Sequence, residues 1–261
     1  MTVEEPVLLS APQPHVALIT FNRPRARNAI NSELARALGK LYRQVEADPD
    51  TWVVILTGAG EEAFCAGADL KEIASGNGEG LVQACMTFYD FIQQKDRQKP
   101  WIAAVNGFAL GGGTEFALAC DMIVAAENAT LGLPEVKRGV MALGGGVIQL
   151  PRALPRNIAL EYIATGAPIT PARGYELGTV NRIAPKGGAL SAALEIAAAI
   201  AENSPYCVRE SLKIAREADD LTRQELWALS ETARVKLQQT HDYQEGPRAF
   251  AEKRKPNWAG K

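Results

Sequence analysis

Two glutamates sit where glutamate is expensive. Glu115 lies at the start of an otherwise apolar stretch, Gly-Gly-Gly-Thr-Glu-Phe-Ala-Leu-Ala-Cys, that runs from Gly111 to Cys120. Glu135 follows Pro134, just after the apolar Leu131 and Leu133. A carboxylate in such surroundings is costly unless it is paired or used. Taken singly, each reads as a surface or capping residue, with Lys137 and Arg138 as solvated ion-pair partners for Glu135. Taken together, two half-buried glutamates beside glycine-lined loops point to general acid–base work. Such surroundings move a carboxyl pKa toward neutrality.

The glycines supply the second half of that chemistry. If Gly112 opens a helix, its N–H is one of the unpaired donors of the first turn, and the helix dipole adds positive potential there. Ala66-Gly-Ala68-Asp69-Leu70-Lys71 offers the same device on another loop, with Ala68 as donor. Alone, a glycine cluster reads as a structural turn. Two N–H donors from separate loops are what an oxyanion hole requires for a thioester carbonyl that gains enolate character.

Other chemistries lack their residues. The two histidines, His15 and His241, stand in no metal-ligand spacing. Neither a GxSxG elbow nor a GxxxxGK[ST] phosphate loop occurs. Gly58-Ala-Gly60-Glu-Glu-Ala63 matches GxGxxA after a strand, but Glu61 and Glu62 would face the phosphates, so it reads as a tight turn. No metal site is expected.

The elements that must position these residues follow from periodicity. His15–Phe21, Trp52–Thr57, Trp101–Val105 and Asp121–Ala126 read as strands, the middle ones buried on both faces. Leu34, Leu38, Leu41 and Val45 fall at helical spacing, with Asn31 or Ser32 as N-cap. A second helix is expected over Leu81–Gln94, with Val82, Met86 and Tyr89 sharing a face. Ser75–Gly80, with three glycines, reads as a surface loop. Strand and helix alternate to about residue 140, the mark of an α/β core. From Gly144 the pattern is helical: Ala159–Thr165, Pro171–Leu177, Ala189–Ala201, Pro205–Ala218 and Leu221–Gln239, interrupted by a β-like Thr179–Ile183.

The 261 residues suffice for one large domain or two small ones. With 47% hydrophobic and 22% charged residues and a net charge of -2, the composition is that of a soluble globular protein without general attraction to nucleic acid or anionic lipid. Cys65, Cys85, Cys120 and Cys207 show no CxxC spacing and read as core residues of a reducing compartment. The acidic N-terminus has no signal-peptide pattern, and no apolar run reaches the length of a membrane span. A cytoplasmic location is expected.

Four blocks, AFCAGADLKEI, NGFALGGGTEFALACDMIVAAE, LGLPEVKRGV and EGPRAFAEKRKPNW, together with FNRPRARNAIN, resemble the signatures of the enoyl-CoA hydratase (crotonase) superfamily. They run in family order over nearly the whole chain. The resemblance implies an α/β crotonase-like spiral of ββα units (residues 1–190) and a helical C-terminal trimerisation lobe (191–261), assembled as a homotrimer or a hexamer of two trimers. It implies hydration of a trans-2-enoyl-CoA thioester, with Ala68 and Gly112 as oxyanion-hole donors and Glu115 and Glu135 as catalytic glutamates. CoA enters as part of the substrate, and no other cofactor is needed. Arg25, Ala26, Ala66, Ala68, Asp69, Leu70 and Lys71 match positions that contact CoA. Phe250 and Lys253 match residues that reach CoA, in many relatives from a neighbouring subunit. Gly111, Gly112, Pro134 and Leu143 complete the expected substrate-binding set. Leu143 departs from the family's pattern by replacing a small residue near the acyl pocket, so a short acyl group is expected. GVIQLPRALP and the C-terminal block are similar to the crotonobetainyl-CoA (carnitinyl-CoA) hydratase branch. Double-bond isomerisation is the competing enzyme reading. RNA binding, reported for some crotonase relatives, is the reading from another class, opposed by the acidic balance and the lack of a lysine-rich helix.

Overall fold

Apolar runs without alternation become the parallel centre of a sheet, because a strand covered on both faces has no side to give to water. The computed structural model describes residues 5–93 and 97–260. In chain order its strands are β1 (Val7–Gln13), β2 (Val16–Phe21), β3 (Val53–Gly58), β4 (Ala63–Cys65), β5 (Trp101–Val105), β6 (Phe108–Leu110), β7 (Met122–Ala126), β8 (Thr130–Gly132) and β9 (Arg182–Ala184). Six form one sheet in the order β1-β2-β3-β5-β7-β9, with only the β1–β2 pair antiparallel. The other three form a parallel sheet, β4-β6-β8. Every residue of β3 and β5 is buried. Consecutive strands thus alternate between the sheets: β3 then β4, β5 then β6, β7 then β8. That is the expected α/β spiral of repeated units.

The helices are α1 (Ser32–Ala47), α2 (Leu70–Glu72), α3 (Gly78–Cys85), α4 (Tyr89–Ile92), α5 (Gly112–Ala119), α6 (Gly146–Ala153), α7 (Arg156–Thr165), α8 (Pro171–Glu176), α9 (Ala189–Ala201), α10 (Pro205–Arg216), α11 (Arg223–Leu237) and α12 (His241–Ala251). Asn31 caps α1, its side chain accepting from the Leu34 N–H. Helix α9 crosses the expected boundary at residue 190. Its Ala189, Ala193 and Ala197 are fully buried in the core, and the methyl side chains let the helix approach β3 and β5 closely. Arg216 of α10 ties the following helices to the sheet. Its guanidinium donates to both Asp121 oxygens, at 2.8 and 2.9 Å, and to the Arg97 and Lys99 carbonyls. Among the described residues no helix is long and apolar enough to cross a membrane.

Four expectations change. Residues 75–80 are not a loop: the chain winds as a π-helical turn over Ile73–Asn77 and enters α3 at Gly78. The cause is tertiary. The Glu72 carboxylate accepts from the Ser32 N–H, the Ser32 hydroxyl and the Asn77 side chain, which pins the segment to the start of α1, and Gly76 absorbs the kink at φ 91°. The helix expected over Leu81–Gln94 is broken by a 3-10 turn and ends as described at Ile92, with Gln94 outside the described residues. The face of Val82 and Met86 is the exposed one, at 64% and 51%. The buried face carries Leu81, Ala84, Phe88 and Phe91, because two phenylalanines that meet Phe116, Tyr42 and Trp101 outweigh a valine and a methionine. The β-like stretch at 179–183 pairs only from Arg182. Strand β1, the short strands of the second sheet and helix α12 had no periodic signal long enough to read.

Candidate active site

The first donor comes from the turn between β6 and α5. Gly111 holds φ 55° with ψ -123°, a conformation that only glycine adopts without strain. Its N–H donates to the Gly132 carbonyl at 2.9 Å, and its carbonyl accepts from the Glu115 N–H. The chain then enters α5 at Gly112, whose N–H has no acceptor among the described residues, as expected of a first-turn donor.

The second donor is set by the first loop. Ile30 bridges Ala68 in parallel. The Ile30 N–H donates to the Gly67 carbonyl at 2.8 Å, and the Asp69 N–H donates to the Ile30 carbonyl at 2.9 Å. Those bonds leave the Ala68 N–H between them without a described protein acceptor. A β-carbon built on Gly67 would lie 3.4 Å from the Gly112 nitrogen, so the two donor-bearing turns abut.

Glu115 is 7% exposed. Its Oε1 accepts from the Gly146 N–H at 2.9 Å, and a β-carbon on Gly144 would fall 2.5 Å from its Oε2, so the bare backbone of 144–146 closes on the carboxyl. Burial pushes its pKa up to about 7. The Gly146 and Gly144 N–H groups pull the other way, and the charge of Glu135 adds to the rise. Glu135 stands on a 3-10 turn, Pro134–Arg138. Its Oε1 would lie 2.8 Å from a β-carbon on Gly111, and its Oε2 is buried without a hydrogen-bond partner among the described residues. Burial raises its pKa, opposed by its own backbone N–H and the Arg138 charge. Among the described residues no ion pair joins Glu135 to Lys137 or Arg138, so the surface-pair reading of this residue fails.

Thr114 joins α5, which carries Glu115, to β6 and to β8, the strand that precedes the turn of Glu135. Its hydroxyl accepts from the Gly132 N–H at 2.8 Å and donates to the Ala109 carbonyl at 2.6 Å. Both carboxyls therefore converge on glycine backbone, Glu115 against Gly144 and Glu135 against Gly111. The arrangement can hold an oxygen on two N–H groups and move protons between water and a carbon beside it.

Arg25, Ala26, Ala66 and Lys71 line one cleft of about 750 Å3, which Glu61 and Glu62 also line. Asp69 behaves otherwise: its carboxylate accepts from Arg23 at 3.0 Å and caps α2 through the Lys71 N–H. Leu70 is 56% exposed, and Pro134 is half-buried against Gly166. Leu143 does not pack into a closed space, being 67% exposed. Phe250, 88% exposed on α12, and Lys253, at φ 53° just after it, make no described hydrogen bond or ion pair with the loops around Glu115.

Asn28 went unread in the sequence. It is fully buried at φ 56°, accepts from the Arg23 N–H and donates to the Ala59 and Ala63 carbonyls, so it pins the loop of Arg25 and Ala26 to the turn before β4. Its signal was residue type, since asparagine tolerates the left-handed region better than most side chains. Thr114 and the donor Gly146 had no local signal.

Residues 12–261 match the family described as Enoyl-CoA hydratase/isomerase. The chain is 40% identical over 255 residues to mevalonyl-coenzyme A hydratase of Aspergillus fumigatus, covering 96% of this chain and 94% of that protein. It is 37% identical over 247 residues to carnitinyl-CoA dehydratase of Proteus mirabilis, covering 93% and 94%. The crystal structure of an enoyl-CoA hydratase from Bacillus anthracis superposes with a TM-score of 0.93 at 38% identity, covering 98% of this chain and 100% of that one. With its spiral of two sheets and these relatives over almost its whole length, the chain belongs to the enoyl-CoA hydratase/isomerase family.

Proposed function

We propose that the protein catalyses the reversible addition of water to a trans-2-enoyl-CoA thioester, giving a 3-hydroxyacyl-CoA. The observation that carries this reading is the pair of glutamates with raised pKa values beside two abutting N–H donors. The Ala68 and Gly112 N–H groups hold the thioester oxygen as enolate charge builds on it. Glu115, whose pKa near 7 suits a base at neutral pH, orients water and takes its proton as the oxygen bonds to the β-carbon. Glu135, kept protonated more readily by its burial, delivers a proton to the α-carbon. The dehydration direction uses the same steps in reverse. Water and two carboxyls suffice, with CoA as the substrate's handle in the cleft of Arg25, Ala26, Ala66 and Lys71.

An isomerase needs one carboxyl to shuttle a proton between carbons. Two converging carboxyls favour hydration. The named relatives act on different acyl groups, so the acyl group is read by assay. Loss of the conjugated-enoyl absorbance is measured for crotonyl-, hexenoyl-, decenoyl- and crotonobetainyl-CoA. Turnover of at least one ester, lost in both Glu115→Gln and Glu135→Gln, is the expected result. An isomerised product without hydroxyacyl product, or a chain that shifts RNA in a gel and hydrates no ester, overturns the reading. Phe250 and Lys253 reach CoA, in this proposal, across a homotrimer or a hexamer of two trimers. Light scattering that returned one 28.0 kDa species would refute that assembly.

A further inference from the structure

We propose that Tyr89 is a positioning residue of this site: its hydroxyl, by holding the Leu143 carbonyl, keeps the turn of residues 143–146 closed on Glu115. The inference rests on the hydration reading of Glu115. The Tyr89 hydroxyl donates to the Leu143 carbonyl at 3.2 Å, across 54 residues of chain. One helical turn on, the Ile92 Cγ2 lies 3.1 Å from where a β-carbon on Gly145 would stand. Helix α4 therefore grips the turn on both sides of Gly144, the residue that faces Glu115 Oε2. The same helix, with the 3-10 turn before it, holds the other partner. Phe91 of α4 and Phe88 of that turn pack on Phe116, the neighbour of Glu115, with ring centroids 6.1 and 5.0 Å apart.

The turn needs an outside hold. Gly144, Gly145 and Gly146 follow one another, and glycine backbone gives up the most conformational freedom when it is ordered. Val140, Met141 and Leu143 are 55%, 61% and 67% exposed, so within 140–143 only the Ala142 side chain is buried, and on the far side α6 holds the Gly145 carbonyl through the Ile148 and Gln149 N–H groups. Without the hydroxyl the turn opens more often, and the Gly146 N–H leaves the Glu115 carboxylate. Tyr89 touches neither the reacting atoms nor Glu115 in this scheme and acts through the turn alone.

Tyr89→Phe keeps the ring and removes the hydroxyl. The expected result is a kcat lower by about 3- to 10-fold, the scale of one neutral hydrogen bond, with KM changed by less than about twofold. The acid limb of the pH profile should move upward, because Glu115 loses an N–H that favours its charged form. In a Glu115→Gln background, Tyr89→Phe should lower the residual rate no further, whereas a merely structural role would lower it equally in both. Titration of Glu115 by carboxyl NMR on isotope-labelled protein reads the same displacement without turnover. An unmoved or lowered Glu115 pKa in folded Tyr89→Phe, or equal losses in the two backgrounds, overturns the inference. A parent protein that hydrates no enoyl-CoA ester would instead sink the hydration reading, and the NMR titration would still decide the role of Tyr89.

Discussion

Glu115 and Glu245 leave the same small fraction of their surface to solvent, 7%, but Glu115 lies deeper in the protein, and their carboxyls are driven in opposite directions. Glu245, on α12, receives both ends of one guanidinium: Arg254 donates to Oε1 at 2.6 Å and to Oε2 at 2.9 Å. The Asn257 N–H adds a third donor at 2.6 Å. These partners hold its pKa down at about 2. Glu115 has backbone N–H donors of the 144–146 turn, no cation, and a second carboxyl nearby, so burial dominates and its pKa rises to about 7. Asp121, with two guanidinium partners and the Trp101 N–H, is likewise a tie between elements. Burial alone therefore does not mark a functional carboxylate. A carboxylate at the surface's edge with a full set of donors is a tie between elements; one buried more deeply and short of donors has the raised pKa that the proposed base needs.

Substitutions to the neutral isostere test that contrast most directly. Glu115→Gln and Glu135→Gln should each lower kcat by roughly 10²–10⁴-fold, the range of general acid–base catalysis. Glu245→Gln should leave kcat near that of the parent. Near-normal turnover in either of the first two would remove that residue from the mechanism, and a large loss in the third would erase the distinction drawn here.

Removing a donor from the Glu115 side should come next. Gly112→Pro lacks the N–H and should cost about 10²–10³-fold in kcat, the scale of one oxyanion-hole donor. Proline is tolerated at the first helical position. Gly112→Ala is the control, since it keeps the N–H. Its β-carbon meets the Ile30 Cδ1 at 2.8 Å, the mobile end of a side chain that can yield. A folded Gly112→Pro enzyme with the activity of Gly112→Ala would rule this donor out.

The pH profile sharpens the comparison further. Hydration needs Glu115 ionised, so kcat/KM should fall about tenfold per pH unit below pH 7. Glu245→Gln should leave that limb in place, because Glu245 is ionised throughout the range. A limb set near pH 4.5 would mean that Glu115 is not the base.

The smallest effects concern stability, and they differ in sign. A carboxyl whose folded pKa is raised favours the folded state below its unfolded value of 4.5, and that contribution is lost as pH rises through about 7. The ionised Glu115 then opposes folding by at most roughly 3 kcal/mol. Glu115→Gln should accordingly melt several degrees above the parent at pH 8. Glu245 is the reverse case: its contribution is present above 4.5 and is lost as pH falls through about 2. Glu245→Gln should melt below the parent at pH 8 and approach it in acid. Calorimetry of the two variants showing shifts of the same sign would break the comparison.

Local rules made much of the molecule legible beforehand. The apolar runs at 53–58 and 101–105 need no partner's identity to read as buried strands, and the helix start at Asn31 follows from its side-chain oxygen and the next apolar spacing. Gly111, Gly112, Ala68, Glu115 and Glu135 could be chosen from residue type and neighbours, and the fold brings them together. The misread stretches depend on distant residues. Residues 75–80 become helical through the contact of Glu72 with Ser32, 40 residues earlier. The buried face of 81–92 is chosen by Phe116, Tyr42 and Trp101.

The sequence by itself determined the central strands and the longer helices, where backbone can approach a ligand without side chains, and which carboxylates lie in apolar company. Each of these is a property of a few adjacent residues. Only the tertiary structure decided what those carboxylates meet: Gly146, 31 residues beyond Glu115, and the Leu143 carbonyl held by a tyrosine 54 residues before it. A pKa is set by charges and donors within a few ångströms in space, whatever their separation along the chain. The sequence could single out Glu115, but the opposite directions in which the Glu115 and Glu245 carboxyls are driven were set only when the chain had folded around them.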